Sequence, residues 1–177
     1  MSDEKLVEQI KLGDTNAAEE LIKRYYASIL RYCNWHCSDP EKAEDMTQDT
    51  FLRLFKSLQQ NENKKQRFSP KNFKAYLFTI ANHLCIDESR KRKIYPLEDE
   101  ENIVNERNEI LQIEDKDEIN HLLSVLSLEQ REAVILRFGE QLSYAQIAKV
   151  MGCNMRTVQS RVRNALQIMR REQGYER

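Results

Sequence analysis

Near the C-terminus, Arg156, Gln159, Ser160, Arg163 and Gln167 recur at intervals of three and four residues. That spacing places them on one face of a helix. Guanidinium and carboxamide groups on such a face can reach base edges in a major groove and phosphates beside it. The alternate positions, Val158, Val162, Ala165 and Met169, are apolar and form the inner face. A second set of cations lies earlier. Lys64, Lys65, Arg67, Lys71 and Lys74 precede or open one predicted helix, and Arg90, Lys91, Arg92 and Lys93 end it. Phe, Tyr, His and Asn lie between them, groups that stack on or bond to unpaired bases. A third set, Cys33, His36 and Cys37, has the i, i+3, i+4 spacing of ligands on one helical face. Zinc needs a fourth ligand, for which His83 or Cys85 is available. A free cysteine is more commonly a small core residue, and packing with no metal is the expectation adopted. The chain has no Gly-rich phosphate loop, HExxH or nucleophile elbow, so neither enzymatic activity nor a cofactor is expected.

The overall charge hides these sets. The 177 residues carry 28 Lys and Arg against 29 Asp and Glu, a formal net charge of −1. By segment the net charge is −3 over 1–60, +6 over 61–95, −8 over 96–126 and +4 over 127–177. Two basic blocks divided by an acidic one point toward nucleic acid. No apolar run is long enough to span a bilayer. The opening MSDEKLVEQIKLG is acidic and amphipathic rather than signal-like, which predicts a cytoplasmic protein with reduced thiols.

The elements that must position these groups are helical throughout. Gly and Pro are scarce (4 and 3), and Glu, Lys, Leu and Gln, all good helix formers, are abundant. A first helix is predicted near 3–12, stopped by Gly13. Asn16 with Glu19 resembles a capping box that opens a second helix to about Cys37. Asp39-Pro40 caps a third helix, with Ala43, Met46, Thr50, Phe51, Leu54 and Leu58 as its buried face. Residues 59–68 read as a loop. Ser69-Pro70 opens a fourth helix to about Lys93, whose core stripe is Phe73, Tyr76, Leu77, Ile80 and Leu84. The acidic stretch 95–115 reads as a flexible linker. After it come a helix over about 116–126, a capping box at Ser127 and Gln130 with a helix closed by Gly139, and another box at Ser143 and Gln146. Over 144–163, Ala148, Gly152 and Val158 have helix-turn-helix spacing, with a last helix from about Met155 to Arg171. The expectation is an all-α chain of two small helical domains, 1–94 and 116–177, joined by the acidic linker.

Three segments together carry a family resemblance: AEDMTQDTFLRLFKSL (43–58), FKAYLFTIANHLCIDESRKRK (73–93) and the helix-turn-helix. The chain resembles the extracytoplasmic-function (group IV) sigma factors of bacterial RNA polymerase, from Gly13 to Arg171. The resemblance implies a first domain that binds the polymerase clamp helices and melts the −10 element. It implies a second that binds the flap and reads the −35 element as duplex.

Residue by residue, it places −35 contacts at Arg156, Thr157, Gln159, Ser160, Arg161, Arg163 and Asn164. It places −10 contacts at Gln66, Arg67, Phe68 and Ser69 in the loop and at Asn82, His83, Arg90 and Lys91 on the helix. His83 stands where the family motif has Asn, and Asn82 where Arg is common. Asp45, Gln48, Asp49, Leu52 and Lys56 form an outer stripe of the third helix, a leucine among polar groups. That composition suits an interface with an apolar spot and a polar rim, and the resemblance assigns it to core polymerase. The implied partners are core RNA polymerase, promoter DNA and an anti-sigma factor. A stand-alone helix-turn-helix regulator, its first domain sensing or dimerising, is the alternative; a protein-interaction module such as an anti-sigma antagonist is a third reading.

Overall fold

The computed structural model describes residues 1–37, 39–60, 72–94 and 115–174. The loop candidates Gln66, Arg67, Phe68 and Ser69, the Ser69-Pro70 cap and most of the 95–115 linker lie outside the described residues. The chain divides into two compact units, Met1–Ile103 and Val104–Arg177. Among the described residues every regular element is helical, as expected.

The first unit contains α1 (Asp3–Lys11), α2 (Thr15–His36), α3 (Pro40–Gln60) and α4 (Phe73–Ile94). Leu6, Val7 and Ile10 bury one face of α1, and Gly13 takes φ 90° in the turn that follows. The start of α2 differs from expectation. Asp14, not Asn16, is its N-cap, with one carboxylate oxygen accepting from Asn16 N–H at 2.9 Å and Ala17 N–H at 3.3 Å. A carboxylate already placed two residues earlier satisfies the first free amides, so Asn16 becomes ordinary helix. Arg24 then ties α2 to α1, reaching Asp3 at 2.6 Å and the Met1 carbonyl at 2.8 Å. The Tyr25 hydroxyl donates to the same Asp3 carboxylate at 2.6 Å. Burial, and then that bond, raise the Tyr25 pKa.

Asp39 caps α3 as its sequence suggested, its carboxylate accepting from Glu41 N–H at 3.0 Å. All six apolar-face positions of α3 are buried. Thr47 and Thr50 are buried too, but their hydroxyls donate back to the Ala43 and Met46 carbonyls at 2.7 Å. No polar group is thereby stranded. On α4, Phe73, Leu77 and Leu84 are buried, whereas Tyr76 and Ile80 are only half-buried; Ala75, Phe78, Ala81 and Cys85 complete the core face. The face is wider than one stripe because α4 packs on both α2 and α3. Tyr32 meets Phe78 edge-on at 5.3 Å, and the Tyr76 hydroxyl donates to Ser57 at 2.9 Å.

The cysteine set belongs to this core. Cys33, Cys37 and Cys85 are buried and form no disulfide, and His36 lies against the Tyr32 ring at 4.6 Å. The hydrogen-bonded Cys85 thiol lowers the Cys33 pKa; Thr47 and His36 act the same way, and burial opposes them. Among the described residues no three His, Cys, Asp or Glu side chains are grouped to hold a metal.

The second unit contains α5 (Asp115–Ser124), α6 (Leu128–Val134), α7 (Tyr144–Met151) and α8 (Met155–Glu172). Both predicted capping boxes form, Ser127 with Gln130 and Ser143 with Gln146. Arg131 turns back to bond the Leu123 and Ser124 carbonyls at the end of α5. The helix opened at Ser127 does not run as simple α-helix to Gly139. Residues Ile135–Gly139 form a π turn, with Glu140 N–H bonding the Ile135 carbonyl five residues back at 3.1 Å. The widened turn keeps Ile135 and Leu136 buried while leaving Phe138 exposed. From within it, Arg137 reaches forward to bond the Leu142 carbonyl at 3.0 Å and lies over the Tyr144 ring at 4.8 Å.

Gly152 ends α7 in the left-handed conformation, φ 63° and ψ 35°. A Cβ there would meet nothing within 4 Å, so backbone strain alone would oppose it. Gly152→Ala should therefore lower stability by about 1 kcal/mol. Gly139→Ala, where φ is not positive and a Cβ would sit 3.9 Å from Ile135, should not. Urea unfolding of the two variants checks this contrast.

Candidate nucleic-acid interface

The recognition surface is built from the end of α7 outward. Cys153 N–H bonds the Ala148 carbonyl at 3.1 Å, closing the turn. Asn154 then caps α8, its side-chain oxygen accepting from Thr157 N–H at 2.8 Å and Thr157 hydroxyl at 3.0 Å. Val158, Val162 and Ala165 are buried against the rest of the unit, and Met169 is half-buried. With that face fixed, the opposite one turns outward. Arg156, Gln159, Arg163, Asn164 and Gln167 are exposed, while Thr157 and Ser160 are half-buried.

Arg161 is placed differently from the other cations. Its guanidinium lies 3.3 Å from the Glu129 carboxylate, and its side chain is 22% exposed. It also donates to the Cys153 sulfur at 3.7 Å. An open cleft of about 430 Å³ borders the start of α8, lined by Ser127, Glu129, Arg156, Ser160, Arg161 and Asn164 among others. Ser127 and Glu129 are not among the DNA-contact residues that the family resemblance implies. Both sit in a capping-box segment whose local role fully accounts for its pattern, so nothing in the spacing signals a second neighbour 32 positions away.

In the first unit the α3 stripe is real: Asp45, Gln48, Asp49, Leu52 and Lys56 are all exposed, opposite the buried face. Leu52 is 54% exposed. On α4, His83, Arg90 and Lys91 are exposed. Asn82 is half-buried and its side-chain oxygen accepts from the Tyr32 hydroxyl at 3.3 Å. Adjacent in sequence, Asn82 and His83 thus face different surroundings.

Comparison with known proteins agrees with this two-part layout. Residues 21–94 match the family Sigma-70 region 2, and residues 116–169 match Sigma-70, region 4. The ECF RNA polymerase sigma factor SigC of Mycobacterium tuberculosis is 31% identical over 173 residues, covering 93% of this chain and 89% of SigC. The chain belongs to the ECF sigma factors. This sigma factor is also similar to SigW of Bacillus subtilis, 23% identical with 97% of each chain covered.

The sigma factor RpoE from Bartonella quintana, solved with the anti-sigma factor NepR, gives a TM-score of 0.68 at 25% identity. The match covers 90% of this chain and 98% of RpoE. CnrH, solved with the cytosolic domain of CnrY, shares the fold at a TM-score of 0.69 and 18% identity, covering 99% of each chain. Region 2 and region 4 in one chain distinguish the sigma factor from a stand-alone helix-turn-helix regulator. Transcription initiation is the work of this family, which is not a family of catalytic enzymes. No helix among the described residues is long and apolar enough to cross a membrane.

Proposed function

We propose that this sigma factor binds core RNA polymerase through the outer stripe of α3 and reads promoter DNA with both units. Asp45, Gln48, Asp49, Leu52 and Lys56 meet the polymerase clamp helices. Arg156, Thr157, Gln159, Ser160, Arg163 and Asn164 enter the −35 major groove, with Arg161 beside them. Unpaired −10 bases are captured by Gln66, Arg67, Phe68 and Ser69 together with Asn82 and His83, and Arg90 and Lys91 engage phosphates. The functional division is 1–94 for core binding and −10 recognition, 95–115 as linker and 116–177 for −35 recognition. The observation that carries the reading is the outward face of α8. An N-capped helix following a tight left-handed turn presents Gln159 and Arg163 to solvent while Val158, Val162 and Ala165 anchor it.

Extruding a −10 base costs a few kcal/mol of unstacking, so a compensating pocket on this protein is required. RNA synthesis itself belongs to the polymerase, and this chain supplies positioning in the cytoplasm where the polymerase works. An anti-sigma factor is a further partner, by similarity to the RpoE complex. In-vitro transcription with purified core polymerase tests the reading. The chain should confer initiation only on templates bearing its promoter. Tight duplex binding by the chain alone, without promoter-dependent initiation, would sink it in favour of a stand-alone regulator.

A further inference from the structure

Among the cleft-lining residues at the start of α8, Glu129 is the one carboxylate. A negative group there faces the polyanion that α8 reads, which opposes binding unless it does something else. Its Oε2 lies 3.3 Å from Arg161, and the Cys153 sulfur accepts from the same guanidinium at 3.7 Å. The two contacts draw Arg161 toward the start of α6 and the turn between α7 and α8. Arg156 and Arg163 are exposed by contrast. Glu129 remains 68% exposed, so the pair is a surface one that adds little to folding. Its effect belongs to DNA binding.

We infer that Glu129 is a positioning residue that sets DNA selectivity by holding Arg161 off the phosphate backbone. Each cation placed on a phosphate releases counterions and adds sequence-independent affinity. Held by Glu129, Arg161 contributes less of that term, so discrimination rests more on base-edge contacts from Gln159 and Arg163. The inference rests on the reading of α8 as the −35 helix and adds the source of its selectivity.

The test uses the full chain and fluorescence anisotropy on a random-sequence duplex and a promoter duplex, each over a salt series. Glu129→Gln should tighten binding to the random duplex and steepen the log affinity against log salt slope by about 0.9, one phosphate contact. The ratio of promoter to random affinity should fall. In an Arg161→Gln background the same Glu129→Gln change should leave the slope where it was. An equal steepening in both backgrounds would overturn the inference, because removal of a negative charge would then suffice without Arg161. A wild-type chain that binds duplex, with the Glu129→Gln slope unchanged, would overturn the inference alone. A wild-type chain with no salt-dependent duplex affinity would overturn the reading of α8 as well.

Discussion

Leu52→Asp should abolish assembly with core RNA polymerase while leaving the chain folded. The asymmetry follows from where α3 puts its side chains. Phe51 and Leu54, on either side of Leu52 in sequence, are 4% and 0% exposed, whereas Leu52 is 54% exposed. Replacing it removes no core contact, so thermal unfolding should shift little, as for other surface substitutions. On the proposed interface the same position is the apolar centre of an exposed stripe rimmed by Asp45, Gln48, Asp49 and Lys56. A buried anchor of that kind is worth about 2 kcal/mol or more. Aspartate would in addition bring an unpaired charge into a desolvated patch. Co-purification with core polymerase and a competition titration provide the readout, with Leu52→Ala expected to weaken rather than abolish binding. Unchanged affinity for the aspartate variant would remove Leu52 from the interface.

The second large effect is on the promoter. Arg163→Ala should weaken −35 duplex binding by about 1–3 kcal/mol, the range of a good bidentate base contact. Arg163 is exposed on the same face as Gln159 and Asn164, whereas Arg161, two residues away, is engaged by Glu129. The loss should therefore be sequence-dependent, falling at one base position and leaving random duplex nearly untouched. Gel-shift titrations against single-position variants of a selected promoter measure it. Equal weakening on every duplex, with a shallower salt slope, would make Arg163 a phosphate clamp.

The parts of the fold that were legible in the sequence are those governed by a few adjacent residues. Asp39-Pro40, Ser127 with Gln130 and Ser143 with Gln146 form caps as read, because each satisfies amides within its own first turn. The same local logic misplaced the start of α2, since Asn16 and Asp14 both suit a cap and only the backbone chooses between them. The core face of α3 was legible because its buried positions recur every three or four residues, although the helix meets α1, α2 and α4. On α4 the two-sided packing buried Phe78 and Ala81 as well, which no single stripe describes.

The outward face of α8 could be read because its inner positions keep a period of 3.6, whichever helices cover them. The Glu129–Arg161 pair could not, since it joins residues on different helices whose approach is decided by tertiary packing. Nor could the accommodation of Asn82 beside Tyr32, which joins α4 to α2 across 50 positions.

The π turn at Ile135–Gly139 has a consequence for how this chain can change over time. It holds one residue more than an α-helical path would, and each residue of an α-helix advances the face by about 100°. Loss of a single residue between Arg137 and Gly139 would let the segment rewind as plain α-helix. The bulge absorbs that extra residue, so the side chains beyond the deletion would keep their directions. Helix ends are ordinarily where a lineage gains and loses residues cheaply. Here a bulge inside the element takes up the change instead, and a one-residue gap in an alignment at this point marks a lost bulge rather than a rebuilt unit.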